Sequence, residues 1–126
     1  SATPTAIGLL SRMYTGWSQD DERLACGVEY LASRGPSRED MYFNYYATQV
    51  LHHMEGPNFD LWNHRMREHL IRTQEKSGHK TGSWNPEGSD WGARGGRMYS
   101  TSMALLTLQV YYRHLPIYAH VYDEVE

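Results

Sequence analysis

Thiols are almost absent from this chain, since Cys26 is its only cysteine. An internal disulfide is therefore excluded, as is a thiolate-rich zinc site, while the redox compartment stays open. An excess of one charge sign is lacking too. Twelve basic residues stand against fifteen acidic ones, mixed along the chain, for a formal net charge of −3 and a pI near 6.1. That balance leaves no electrostatic footprint for nucleic acid or an anionic membrane surface. No apolar run approaches the roughly 18 residues of a membrane span, and there is no secretory apolar region. We expect no nucleic-acid partner and no transmembrane segment, and nothing assigns a compartment. The chain opens on Ser1-Ala2 without a methionine, so we expect it to belong to a longer protein.

What is present is helical punctuation. The 126 residues, 14.6 kDa, suit one small domain with a real core. Thr3 and Pro4 supply a cap and a first-turn proline for a helix over about 4–16, with Ile7, Leu10, Met13, Tyr14 and Trp17 at helical spacing. Ser18-x-x-Asp21 reads as a capping box for a second helix over 20–34, carrying Leu24, Val28 and Leu31 and stopped by Gly35-Pro36. Ser37-x-x-Asp40 repeats the device for a third over 38–55, with Phe43, Ala47, Val50, Leu51 and Met54 on one face. Asn58 caps a fourth over 58–76 that buries Phe59, Trp62, Met66 and Leu70. Six glycines and one proline among the nineteen residues 78–96 predict a long loop. A fifth helix follows over 97–114, and the tail Asp123 to Glu126 is expected to fray.

The helices repeat. Leu31 laid over Leu70, an offset of 39, superposes the second and fourth helices end for end. Met41-Tyr42 laid over Met98-Tyr99, an offset of 57, brings Ala47 onto Ala104 and Leu51 onto Leu108. The chain therefore reads as a helix pair used twice, the second copy carrying a loop insertion, with the first helix left from a preceding unit.

An outer helix ending in Gln74, then Gly82-Ser83-Trp84, then an inner helix opening on Tyr99, resembles the repeat of the terpenoid cyclases and protein prenyltransferase β-subunits, which are α/α toroids. The segments Thr5 to Leu10, Tyr45 to Val50 and Gly95 to Thr101 look like squalene-cyclase-like proteins of uncharacterised bacterial families. The resemblance covers about residues 3–118 and implies an all-α, toroid-like fragment of about five helices in outer and inner layers. In the triterpene cyclases the repeat carries Gln-x3-Gly-x-Trp, the glutamine tying its helix to the next repeat and the tryptophan stacking across the turn. Gln74, Gly82 and Trp84 match it with seven residues, not three, between glutamine and glycine. The first unit, Tyr30 to Tyr42, has no such motif. The physical reading agrees with the resemblance: a long helix leaves its last carbonyls unpaired, and this turn would satisfy them while reversing the chain.

The chemistry of those relatives does not come with the pattern. Asp20-Asp21-Glu22 and Glu39-Asp40 lack the Asp-x-Asp-Asp spacing of a protonating acid, and both stand where helix caps belong. Cys26 has no zinc-binding Asp-x-Cys before it, and Cys26-Gly27-Val28-Glu29 is not the Cys-Gly-Glu-Gln of thioester proteins. Of the seven histidines, His64 and His69 point about 140° apart on a helix, and the neighbours His52 and His53 diverge as well. His79 falls in the glycine loop and His114 at a helix C-terminus. We expect no metal, no cofactor and no catalytic residue.

The surviving candidates form a surface. Tyr42, Tyr45, Gln49, His52 and His53 make a polar-aromatic stripe on the third helix, and Tyr99 falls similarly on the fifth. Inner helices of a toroid line its cavity, so these residues are candidates to face an apolar small ligand, with Trp84 and Trp91 in a lid or packed as anchors. The favoured function is a non-catalytic binding or interaction module whose open apolar flank meets further repeats or a second copy; the alternative is a piece of an enzyme acting on an apolar isoprenoid.

Overall fold

The computed structural model describes residues 1–118 of the chain; the tail expected to fray lies outside them. Five helices follow one another: α1 (Ala2–Tyr14), α2 (Glu22–Arg34), α3 (Met41–Met54), α4 (Gly56–Thr73) and α5 (Asp90–Arg113). A single 3₁₀ turn occupies Gly78–Lys80, and there is no strand among the described residues. The fold is all-α, with five helices, as the punctuation implies.

The serines Ser18 and Ser37 stand about three residues before the caps, while Asp21 and Asp40 are caps, as expected of those acidic pairs. The Asp21 carboxylate accepts from the Arg23 N–H and that of Asp40 from the Phe43 N–H, each at 2.9 Å. The aspartates, not the upstream serines, cap α2 and α3, because a carboxylate also answers the positive end of the helix. Ser37 Oγ instead accepts from the Asp40 N–H at 3.1 Å, shaping the approach. Helix α1 begins at Ala2 behind Ser1, so Thr3 sits within it and donates to Asp40 at 3.2 Å. Helix α4 starts before Asn58, whose amide reaches Glu29 at 3.1 Å, and stops at Thr73 instead of 76.

The largest correction concerns the loop expected over 78–96. Its last third is helical: Ser89 Oγ accepts from the Gly92 N–H at 2.9 Å and opens α5, which kinks at Gly96 (φ 68°). Glycine content hid this turn from a propensity argument. Gly92 is there because a Cβ would collide with the Pro86 carbonyl, so close approach, not flexibility, selects the residue.

The helices stack in two layers. Helix α3 is flanked on one side by α1 and on the other by α5, while α2 and α4 touch each other and lie across α3. Polar and aromatic contacts give the directions. Near its start α3 meets the starts of α1 (Thr3–Asp40) and α5 (Tyr42–Trp91), and near its end it meets their ends (Tyr14–His53, His52–Tyr111). The odd helices therefore run parallel. Helix α4 folds back along α3, its Trp62 indole donating to Thr48 Oγ1 at 2.9 Å and its ring meeting Phe43 edge-on. A helix so flanked hides most of its surface: Phe43, Asn44, Ala47, Thr48, Gln49, Val50 and Leu51 are all in the interior, while Tyr42, Tyr45 and Tyr46 are half-buried. Each large apolar side chain moved there from water contributes about 1.5–3 kcal/mol.

Candidate functional site

The turn after α4 works as punctuation. The Gln74 side-chain amide donates to the Gly82 carbonyl at 3.0 Å. Beside it the Glu75 N–H donates to Ser83 O at 2.9 Å and the Gly82 N–H to Glu75 O at 2.8 Å, so the loop closes at a hydrogen-bonded neck. Gly82 has φ 85°, a left-handed conformation that a side chain would strain. Trp84 is only 2% exposed; its indole N–H donates to the Leu70 carbonyl in the last turn of α4 at 3.0 Å. Its backbone N–H donates to Thr101 Oγ1 at 3.1 Å, tying the turn to α5. Gln74 reaches the loop of its own unit, and Trp84 is a packing anchor, not a lid.

The candidate stripe on α3 divides into two ends. At the start, Tyr42 lies 4.9 Å from Tyr46 and 6.2 Å from Trp91, with Tyr45 5.3 Å from Tyr46. Hydrogen bonding with Tyr42, burial and the neighbouring phenols push Tyr46 up to about 12. Tyr99 joins this group; burial raises its pKa, helped by the nearby charge of Asp40, and its buried hydroxyl has no hydrogen-bond partner. Trp91 stands exposed at the mouth of a cavity of about 340 Å³ rimmed by Glu39, Asp40 and Asp90.

At the other end the histidines hold a strap. His52 Nε2–H donates to the His114 carbonyl at 2.6 Å, and the Ile117 N–H donates to His53 Nδ1 at 3.2 Å. With Nδ1 accepting, the neutral ring carries its proton on Nε2, which lies 3.3 Å from the Tyr14 hydroxyl. The Tyr118 hydroxyl then reaches the Trp17 carbonyl at 2.8 Å. Residues 114–118 thus cross the end of α3 and bind both neighbours of its layer. Burial lowers the pKa of His53 to about 4, with His52 and His114 adding to the effect. His53 is a neutral interior group, and His52 and Gln49 are buried as well. The structure therefore brings Tyr42, Tyr45, Trp91 and Tyr99 together and separates them from His52 and His53.

Sequence reasoning missed a row on α5. Met98, Thr101, Leu105, Leu108 and Tyr112 fall alternately three and four residues apart; Met98 (81%), Leu105 (44%) and Tyr112 (83%) are exposed, with Thr101 and Leu108 half-buried between them. The spacing was legible, but it is also the spacing of a buried stripe. Sequence reasoning placed Phe59 in the core but missed its pairing with Tyr111, a near-parallel ring whose centroid lies 6.4 Å away.

Among the described residues no group of three or more His, Cys, Asp or Glu side chains is placed to hold a metal ion, and no helix is long and apolar enough to cross a membrane. Comparison with family models, curated proteins and solved structures gives no match.

Proposed function

We propose that this chain is a non-catalytic helical interaction module built from repeated helix pairs, and that it works through the outer edge of α5, which pairs with the same edge of a second copy. The outward row on α5 carries this reading. Its three-and-four alternation is the seam by which one helix packs along another. Leu105 lies at the centre, with Thr101 and Leu108 half-buried on the side of α4 and the turn after it: Thr101 Oγ1 accepts from the Trp84 N–H, and Leu108 borders the same hollow as Asp60, Asn63 and Arg67. A single exposed apolar residue is ordinary, whereas a continuous row on an edge helix marks a contact surface.

The layered arrangement supports the same conclusion. Stacked pairs bury each unit against its neighbour and leave the last one open. A row of this spacing is self-complementary under a twofold axis, so a second copy covers it without any further feature. The likeness of the Gln74, Gly82 and Trp84 turn to squalene-cyclase-like repeats belongs to this reading, as the kind of repeat from which such a module would derive.

Sedimentation equilibrium tests it. The chain should sediment as a dimer, and Leu105→Lys combined with Tyr112→Lys should give a monomer of unchanged helicity by circular dichroism. A wild-type chain that remains monomeric as its concentration is raised would overturn the proposal.

A further inference from the structure

Residues 114–118 lie over the end of α3 on few contacts. Helix α5 stops at Arg113, His114 turns extended (φ −117°, ψ 126°), and Pro116 keeps the helix from resuming. The strap that follows sends only Ile117 and Tyr118 against the core, each partly buried, while Leu115 is 73% exposed. Three hydrogen bonds fasten it: His52 to the His114 carbonyl, the Ile117 N–H to His53, and the Tyr118 hydroxyl to the Trp17 carbonyl. The helices beneath have a core of their own, with α1 and α5 both packed on α3. A segment that buries so little opens locally, at far lower cost than the core.

The three fastenings differ in what a proton does to them. The two outer ones use backbone carbonyls as acceptors, so acid leaves them intact. The middle one uses the Nδ1 lone pair of His53. Once protonated, that atom is itself a donor and faces the Ile117 N–H, a second donor, at 3.2 Å.

The groups around His53 do not compensate a charge on it. Tyr14 of α1 meets Nε2 at 3.3 Å as a neutral phenol, its pKa raised by burial and by Tyr45. The rings of His52 on α3 and His114 on the strap lie 5.7 Å and 6.3 Å away, and Arg113 adjoins His114. Glu55 and Asp60 border the hollow on one side of the strap and Asp20 the hollow on the other, but the hydrogen-bond partners of His53 are Tyr14 and Ile117. Burial, with the two imidazoles, brings the pKa of His53 from 6.5 to about 4. The closed strap binds fewer protons, so it is favoured above pH 6.5 and loses that advantage as the pH falls toward 4.

From this arrangement we infer that residues 114–118 form an acid-released latch: a proton taken from solvent by His53 Nδ1 displaces the Ile117 N–H, and the strap lifts off the end of α3 as one piece while the helices stay folded. The strap walls two hollows, one of about 380 Å³ through His114, Leu115 and Pro116 and one of about 330 Å³ through Ile117 and Tyr118. Its departure joins them over His53. No residue of the outward row on α5 takes part in the fastenings, so the latch does not depend on self-association.

The experiment is amide hydrogen exchange followed by nuclear magnetic resonance on the unmodified chain between neutral pH and the closed-state pKa of His53. Corrected for the intrinsic rate, protection of the Ile117 amide should fall more than about tenfold and up to about a hundredfold, the range that a pKa of 6.5 when released and about 4 when closed allows. Protection at Leu51, inside α3, should fall by a much smaller factor. His53→Gln keeps an acceptor for the Ile117 N–H but takes up no proton, and should flatten the dependence. Tyr118→Phe removes only the last fastening; it should lower Ile117 protection several-fold at every pH and leave the pH dependence as it was. A parallel fall at Leu51, an undiminished dependence in His53→Gln, or indifference of Ile117 to Tyr118→Phe would each overturn the inference.

Discussion

The two turns that lead from an even helix into an odd one solve the same problem at different lengths. Both start alike: the Gly35 N–H caps the Leu31 carbonyl after α2, and the Gln74 N–H caps the Leu70 carbonyl after α4. Both end alike as well. Asn44 on α3 accepts from the Ser37 N–H at 2.8 Å, and Thr101 on α5 accepts from the Trp84 N–H at 3.1 Å, positions separated by the same offset of 57 as the rest of those helices. Between these fixed points the first turn needs nothing more than a glycine and a proline. The second carries its neck, its indole anchor and an extra helical turn. The two turns share these hydrogen-bonded catches, and they differ in that the longer one carries its own buried anchor.

The largest expected effect is at that anchor. Trp84→Ala should cost about 3–5 kcal/mol in urea denaturation, because it empties the interior of a large side chain and removes the indole hydrogen bond to the Leu70 carbonyl, which keeps only its backbone cap from Gln74. Asn44→Ala, in the short turn, should cost about 1–2 kcal/mol, since it removes hydrogen bonds to both the N–H and the carbonyl of Ser37 without opening a large void. Equal costs would break the comparison.

Much of this was legible in the sequence, for identifiable reasons. Helix number followed from polar caps and apolar spacing, and the match of Leu31 to Leu70 from the place where both helices stop. The claim that α2 and α4 superpose end for end fails at their beginnings, since α4 has 18 residues and α2 has 13. The interior position of Gln49, His52 and His53 was hidden because α3 is flanked by four other helices, and the partners of the two histidines, Tyr14 and the backbone of His114 and Ile117, lie far along the chain where no local pattern reveals them. The outward row on α5 was visible as a spacing, but direction is a property of packing and cannot be read from one strip of residues.

The strap gives a pH dependence with a defined sign. His53 binds fewer protons folded than unfolded, its pKa falling from an ordinary 6.5 to about 4. Its contribution to stability is therefore complete above pH 6.5 and is lost progressively as the pH falls toward 4. Protonation also removes the lone pair that accepts from Ile117, so the protection of that amide relative to its intrinsic exchange rate should fall as the pH approaches 4. His53→Leu should abolish this dependence, though carboxylate titrations will remain below it. A smaller effect is expected at Glu55: relief of backbone strain in Glu55→Gly should stabilise the fold by about 1 kcal/mol after the entropy of the extra glycine is subtracted. Smallest of all, Gln74→Ala should cost about 0.5–1 kcal/mol, a partly exposed hydrogen bond in a neck that retains two others.

The account rests most heavily on the outer edge of α5 being a contact surface between copies. Oxidative cross-linking of Leu105→Cys, in a chain whose exposed Cys26 is replaced by serine, tests this directly. Position 105 is central in the row and would meet its counterpart across a twofold axis, whereas Ile71→Cys, exposed on α4 in the other layer, would not. Rapid formation of a disulfide-linked dimer at 105 and not at 71 is the predicted result; equal, slow cross-linking at both positions would contradict it.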